Sequence, residues 1–188
     1  MEALLSTIKD CTVCEKYLPH GANPILEVSS TSKILLISQA PGRIAHFKSL
    51  AWDDAGGKRL KQWLNVSEEE FYNTDNFAIF PMAFCYPGKA TVGDLPPRPE
   101  CAPLWHQQVL SKLRTTPLKI LIGKYAQDYY LRDTRTLTER VKNIGSYLPN
   151  YLPLPHPSPI NRFWMQKNPW FEEDTIPFLQ SKIRAMLE

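Results

Sequence analysis

An α/β fold built on a parallel sheet is the architecture this chain predicts, on three observations. Lys33 to Ser38 (KILLIS) and Leu118 to Ile122 (LKILI) are unbroken runs of β-branched and aliphatic residues, as strands buried on both faces require. Helical patterns fall between the strand candidates, and that alternation is the signature of a parallel sheet. Each strand candidate also runs at its carboxyl end into a loop of unusual composition, where open α/β sheets bind their ligands.

In chain order, the first strand, KILLIS, leads into QAPG. A helix follows over Gly57 to Leu64, and the short strand FAIF (Phe77 to Phe80) leads into PMAFCYPGK. Cys101 to Leu113 has helical spacing, and LKILI then runs into GKYAQ and a helix over Gly123 to Leu131. In that helix Tyr125, Tyr129 and Tyr130 read as packing residues. A further helix is expected over Thr136 to Asn143, then a last strand, YLPL (Tyr151 to Leu154), ending in PHPSP. The segment Asn161 to Phe171, which joins aromatics to Arg162 and Lys167, is either a loop facing a polyanionic partner or the anchor of a final amphipathic helix over Phe171 to Leu187.

At 188 residues the chain is expected to form one domain, residues 1–188, burying roughly 70% of the surface its unfolded form exposes. Hydrophobic residues at 43% and charged residues at 22% argue against disorder. The 17 prolines against 8 glycines point to structured loops, and a net charge of +3 permits a polyanionic partner without requiring one. The N-terminus lacks a basic region followed by an apolar core, and no apolar run is long enough to span a bilayer. A soluble, cytoplasmic, monomeric protein with no membrane partner is the expectation.

The four cysteines form a C-x2-C pair, Cys11 and Cys14, and a second pair, Cys85 and Cys101, separated by fifteen intervening residues within a proline-rich loop. Thiolates at such spacings suit a structural zinc ion or a [4Fe-4S] cluster equally. Unrelated buried thiols are the bland alternative. His20, His46 and His106 have no metal-site spacing and read as surface residues.

The stretch LPLPHPSPINRFW, Leu152 to Trp164, sets one histidine and one serine among fixed prolines. Proline locks φ and removes a donor, so the segment is rigid before any partner arrives.

Taken in order, LLISQAPG, the two cysteine pairs and HPSP resemble the uracil-DNA glycosylase superfamily, and are most similar to its iron-sulfur branch in bacteria and archaea, family 4. The resemblance covers about Cys11 to Arg162. It implies a three-layer α/β/α domain with a central four-stranded parallel sheet. It further implies a [4Fe-4S] cluster on Cys11, Cys14, Cys85 and Cys101, and hydrolysis of the bond joining a damaged base to deoxyribose. Gln39 and Ala40 would present backbone amides to the base, with Pro41 and Gly42 turning the chain and meeting DNA. Trp52 falls where the family stacks an aromatic on the base. His156 would donate to the departing base, Ser158 and Arg162 would hold phosphates, and Ile160 would fill the vacated stack.

Two positions depart from the family pattern. Its GEAPG glutamate is Gln39 here, so water activation falls to Gln39 as a hydrogen-bonding group or to a carboxylate of AWDDAGG, Asp53 or Asp54. The asparagine that reads uracil four residues before the third cysteine is Pro81, which puts uracil selectivity in question and admits hypoxanthine or xanthine. A non-catalytic DNA-binding protein of the same fold, or a redox-sensing cluster protein, are the competing functions.

Overall fold

The computed structural model describes residues 1–188. Its centre is a four-stranded sheet of β1 (Ile34–Ile37), β2 (Phe77–Ile79), β3 (Leu118–Ile122) and β4 (Tyr151–Leu154). The spatial order is β2-β1-β3-β4, and every neighbouring pair is parallel. Nine α-helices connect and flank the strands: α1 (Glu2–Lys9), α2 (Arg43–Lys48), α3 (Ala55–Leu64), α4 (Glu68–Tyr72), α5 (Cys101–Leu110), α6 (Lys124–Leu131), α7 (Leu137–Lys142), α8 (Arg162–Lys167) and α9 (Ile176–Leu187).

The apolar runs are continuous because alternate residues enter different cores. Ile34 and Leu36 of β1, Ile120 and Ile122 of β3, and Leu152 and Leu154 of β4 join Leu60 and Trp63 of α3, Val141 of α7 and Ile183 of α9 on one face. Leu35, Ile37 and Leu121 face the other way, meeting Ile8 of α1, Trp105 and Val109 of α5 and Ala126 of α6. Helices therefore cover both faces, giving the three-layer α/β/α arrangement the sequence predicts.

The helix expected from Gly57 begins two residues earlier, because Asp54 accepts a hydrogen bond from the Gly57 amide at 2.8 Å and caps the first turn. The final helix opens with a π-helical turn over Phe171–Thr175 before α9 continues. The Asn161 to Phe171 segment is largely helix α8; Trp164, Trp170 and Phe171 anchor the C-terminus, while Phe163 is exposed. Trp164 and Trp170 pack against the core, and Phe171 is fully buried against Trp63, with ring centroids 5.0 Å apart.

Two of the histidines expected at the surface are buried. His46 is 8% exposed, and His106 is 2% exposed, bonded to the Pro81 carbonyl and the Tyr130 hydroxyl. The aromatic surroundings of each displace water: His46 sits against Phe47 and Tyr86, and His106 stacks on Phe80 at 4.2 Å.

Candidate functional site

The sheet order reverses between β1 and β3, since the chain leaves β1 for β2 on one side and later returns to β3 on the other. A cleft beyond the carboxyl ends of the strands is the expected consequence. A cavity of about 530 Å³ opens there, within the range of small-molecule sites. Loops after β1, β2 and β4 all contribute to it. Gln39, Ala40, Pro41 and Gly42 come from the first, Pro81 from the second, and His156, Ser158 and Ile160 from the last. Trp52 and Asp54 enter from the turn before α3.

The end of β4 is held by its neighbours. Gly123 and the buried Gln127 side chain both donate to the Leu154 carbonyl, each at 2.9 Å. Gly123 has φ of +85°, and a β-carbon there would lie 3.5 Å from that of His156, so a glycine suits both the backbone and the space. Beyond β4, Asn161 donates to the His156 carbonyl at 2.7 Å, and Arg59 of α3 reaches the carbonyls of Pro157 and Ser158 at 3.4 and 3.5 Å.

Within this rigid frame the Ser158 amide donates to His156 Nδ1 at 3.2 Å. An acceptor at Nδ1 leaves Nε2 to carry the proton of the neutral ring. Burial pulls the His156 pKa below the ordinary histidine value, against the opposing charges of Asp54 and Asp94, so the neutral donor form is favoured. The Ser158 hydroxyl accepts from the Ile160 amide at 3.4 Å, shaping a short turn on which Ile160 stands 63% exposed.

Trp52 is one of four non-glycine residues with positive φ, at 62°, a conformation that costs an L-residue about 1–2 kcal/mol. Its neighbours hold it there. A β-carbon on Gly57 would fall 1.8 Å from the Trp52 carbonyl oxygen, so only glycine at 57 lets the turn rest on α3. Tyr72 donates to the adjacent Ala51 carbonyl at 2.9 Å. The indole lies 5.9 Å from the His156 ring, centroid to centroid, on the cavity wall.

At the end of β1, the Gln39 and Ala40 amides make no hydrogen bond within the chain, whereas the Gln39 carbonyl accepts from Ala83 at 3.1 Å. The Gln39 side-chain amide donates to the Leu95 carbonyl, also at 3.1 Å. Two candidate residues lie outside the cavity lining. Asp53 turns away and pairs with Lys48 at 2.7 Å, which holds its carboxyl below the usual range. Arg162 is exposed and lies over the Phe163 ring at 4.7 Å. The cavity also contains a carboxylate that sequence reasoning missed, Asp94, brought in by the long loop between Cys85 and Cys101.

Cys11, Cys14, Cys85 and Cys101 line one apolar pocket with Leu18, Phe84 and Trp105. Burial pushes the Cys85 thiol up to about 11 and the Cys101 thiol up to about 12, and the neighbouring cysteines add to both rises. A bound cation would reverse that repulsion. No group of three or more His, Cys, Asp or Glu side chains is arranged to hold a metal ion. Four thiols on one pocket are the donor set that either a zinc ion or an iron-sulfur cluster would take.

No helix is long and apolar enough to cross a membrane. In comparison with known families, the model of the uracil DNA glycosylase superfamily matches residues 27–180. That span includes every cavity residue named above, with Cys85 and Cys101, and begins after Cys11 and Cys14.

Proposed function

This chain belongs to the uracil DNA glycosylase superfamily, and we propose that it is a DNA glycosylase that extrudes a deaminated base and hydrolyses its N-glycosidic bond. The observation that carries this reading is the convergence of the free Gln39 and Ala40 amides, Trp52 and a neutral His156 on one cavity. A base inside a duplex is out of reach, so such an enzyme needs a pocket, a stacking surface, hydrogen bonds to the base and a phosphate clamp. Trp52 offers the stack, worth about 1–3 kcal/mol per base. The two amides offer donors to a base carbonyl.

As the bond breaks, negative charge grows on the departing base, and His156 Nε2–H is the donor available to stabilise it. Ser158 and Arg162 are suited to phosphates, and Ile160 to the step that the base leaves. Asp54 and Gln39 are engaged with the Gly57 amide and the Leu95 carbonyl, so each contributes chiefly to the shape of the site.

Pro81 lines the cavity without a side-chain or backbone donor, and its carbonyl is taken by His106. A pocket without an amide at that point should distinguish uracil less sharply, so hypoxanthine and xanthine are also candidate substrates. The test is a set of single- and double-stranded oligonucleotides carrying uracil, hypoxanthine or xanthine, treated with alkali after incubation. Strand cleavage at one or more lesions is expected. Salt-dependent binding with no product from any substrate would favour the damage-binding alternative, to which the amide at Gln39 gives some support.

The cysteine pocket suggests the iron-sulfur branch of the superfamily. Cys11, Cys14, Cys85 and Cys101 would hold a [4Fe-4S] cluster, which would tie the N-terminal segment to the long loop as a structural link. Iron and acid-labile sulfide in the purified protein are expected, and a folded, colourless zinc protein would overturn the assignment.

A further inference from the structure

Hydrolysis of a glycosidic bond needs a group to take the proton of the attacking water, and the carboxylates near the cavity are not equivalent. Asp53 is paired with Lys48 outside it. Asp54 lines it too, with Oδ1 on the Gly57 amide, and is already used as the N-cap that starts α3. Asp94 lines it with one oxygen held and the other free: Oδ1 accepts from the Tyr86 hydroxyl at 3.4 Å, and Oδ2 has no partner within the chain. That second oxygen lies 3.7 Å from where a β-carbon on Gly42 would stand, against the loop whose amides face the cavity. The charge of Asp94 also acts on His156, which lines the same cavity.

Asp94 is fixed as a catalytic group must be. The Lys89 and Asp94 backbones pair across a tight hairpin, Ala90 donates to Gly93 at 3.1 Å, and Leu95 donates to Gly88 at 2.9 Å. Gly93 has φ of +73°, which a glycine adopts without strain. Tyr86, which orients the carboxylate, is fully buried and stacks on His20 at 5.7 Å. Gln39 latches the hairpin to the end of β1 through the carbonyl of Leu95, the residue directly after Asp94. The side chain that stands at the cavity floor as an amide therefore holds the loop that delivers a carboxylate.

We propose that Asp94 is the general base of base release, with Gln39 and Tyr86 as its positioning residues. The inference rests on the glycosylase reading. Water forms the new C1′–O bond as the C1′–N bond breaks, the bonding pair leaves with the base, and the water proton passes to Asp94 Oδ2. The free base then takes a proton from solvent, and Asp94 returns its own. Until that transfer the carboxylate also faces the positive charge that builds on the sugar.

The test uses the full chain and the lesion oligonucleotide that the wild type processes fastest, with single-turnover release measured at saturating protein. Asp94→Asn keeps an acceptor for the Tyr86 hydroxyl, so the hairpin should be retained, and an unchanged thermal midpoint checks this. Release is expected to fall by about a hundredfold or more while DNA affinity is unchanged. A wild-type rate in Asp94→Asn, or a loss confined to affinity, would overturn the assignment and leave the glycosylase reading standing. A wild type that releases no base from any oligonucleotide would overturn both.

Discussion

At His156 a single hydrogen bond decides which ring nitrogen carries the proton. The Ser158 amide claims Nδ1, burial favours the neutral ring, and Nε2–H is left for a departing base. The prolines around it have a physical purpose in this setting, since a donor fixed before the substrate arrives needs no ordering at the moment of reaction. His156→Ala should lower single-turnover release by about a hundred- to a thousandfold, the usual effect of removing one transition-state donor. Because it removes only a side chain beyond β4, the thermal midpoint should change little. An unaltered rate would remove His156 from the mechanism. The residue types here were legible in the sequence because proline and histidine carry their chemistry locally. Asp94 was not: its place depends on a hairpin and on the Gln39 latch, a contact that spans 56 residues of chain.

At the scale of elements, the strands were readable because two-sided burial leaves a continuous apolar run, and FAIF and YLPL followed the same rule despite their length. The short helices were harder, since a six-residue helix such as α2 and a five-residue one such as α4 show barely more than one period and are stabilised mainly by packing. One local signal was nevertheless available: Ser67 and Glu70 form a capping box at α4. The start of α3 couples element to site most directly, because the Trp52 turn rests on the bare face of Gly57. Gly57→Ala places a methyl group where the Trp52 carbonyl now sits, so the turn must move or the helix must unwind. The cost should be about 2 kcal/mol or more, in line with overpacking of a buried site. Base release should fall at least as far as in Trp52→Ala, which loses only the stack. Wild-type stability and turnover in Gly57→Ala would show that the turn relaxes freely and that its strain has no functional part.

For the whole molecule, acid should act first through buried histidines. His106 donates from Nε2 to the Pro81 carbonyl at 3.0 Å and accepts from the Tyr130 hydroxyl at 2.7 Å, an arrangement that requires the neutral ring. Burial lowers its pKa to about 4. The unfolded value is near 6.5, so the unfolded chain binds the proton first as pH falls. The contribution of neutral His106 is therefore fully present above about pH 6.5 and lost as pH falls through about 4, amounting to about 3 kcal/mol. His46 and His156 are shifted in the same direction and steepen the dependence. The paired carboxylates Asp128 and Asp133 have lowered pKa values, so their losses come at lower pH and do not obscure this window. His106→Gln offers the test, since an amide can donate to Pro81 and accept from Tyr130 without titrating. Urea midpoints of the wild type should fall between pH 7 and pH 4.5, and those of His106→Gln should fall less. Parallel curves would exclude His106 as the source. Because Pro81 lines the cavity, protonation of His106 should also loosen the cavity floor, so acid should weaken base release in the wild type more than in His106→Gln.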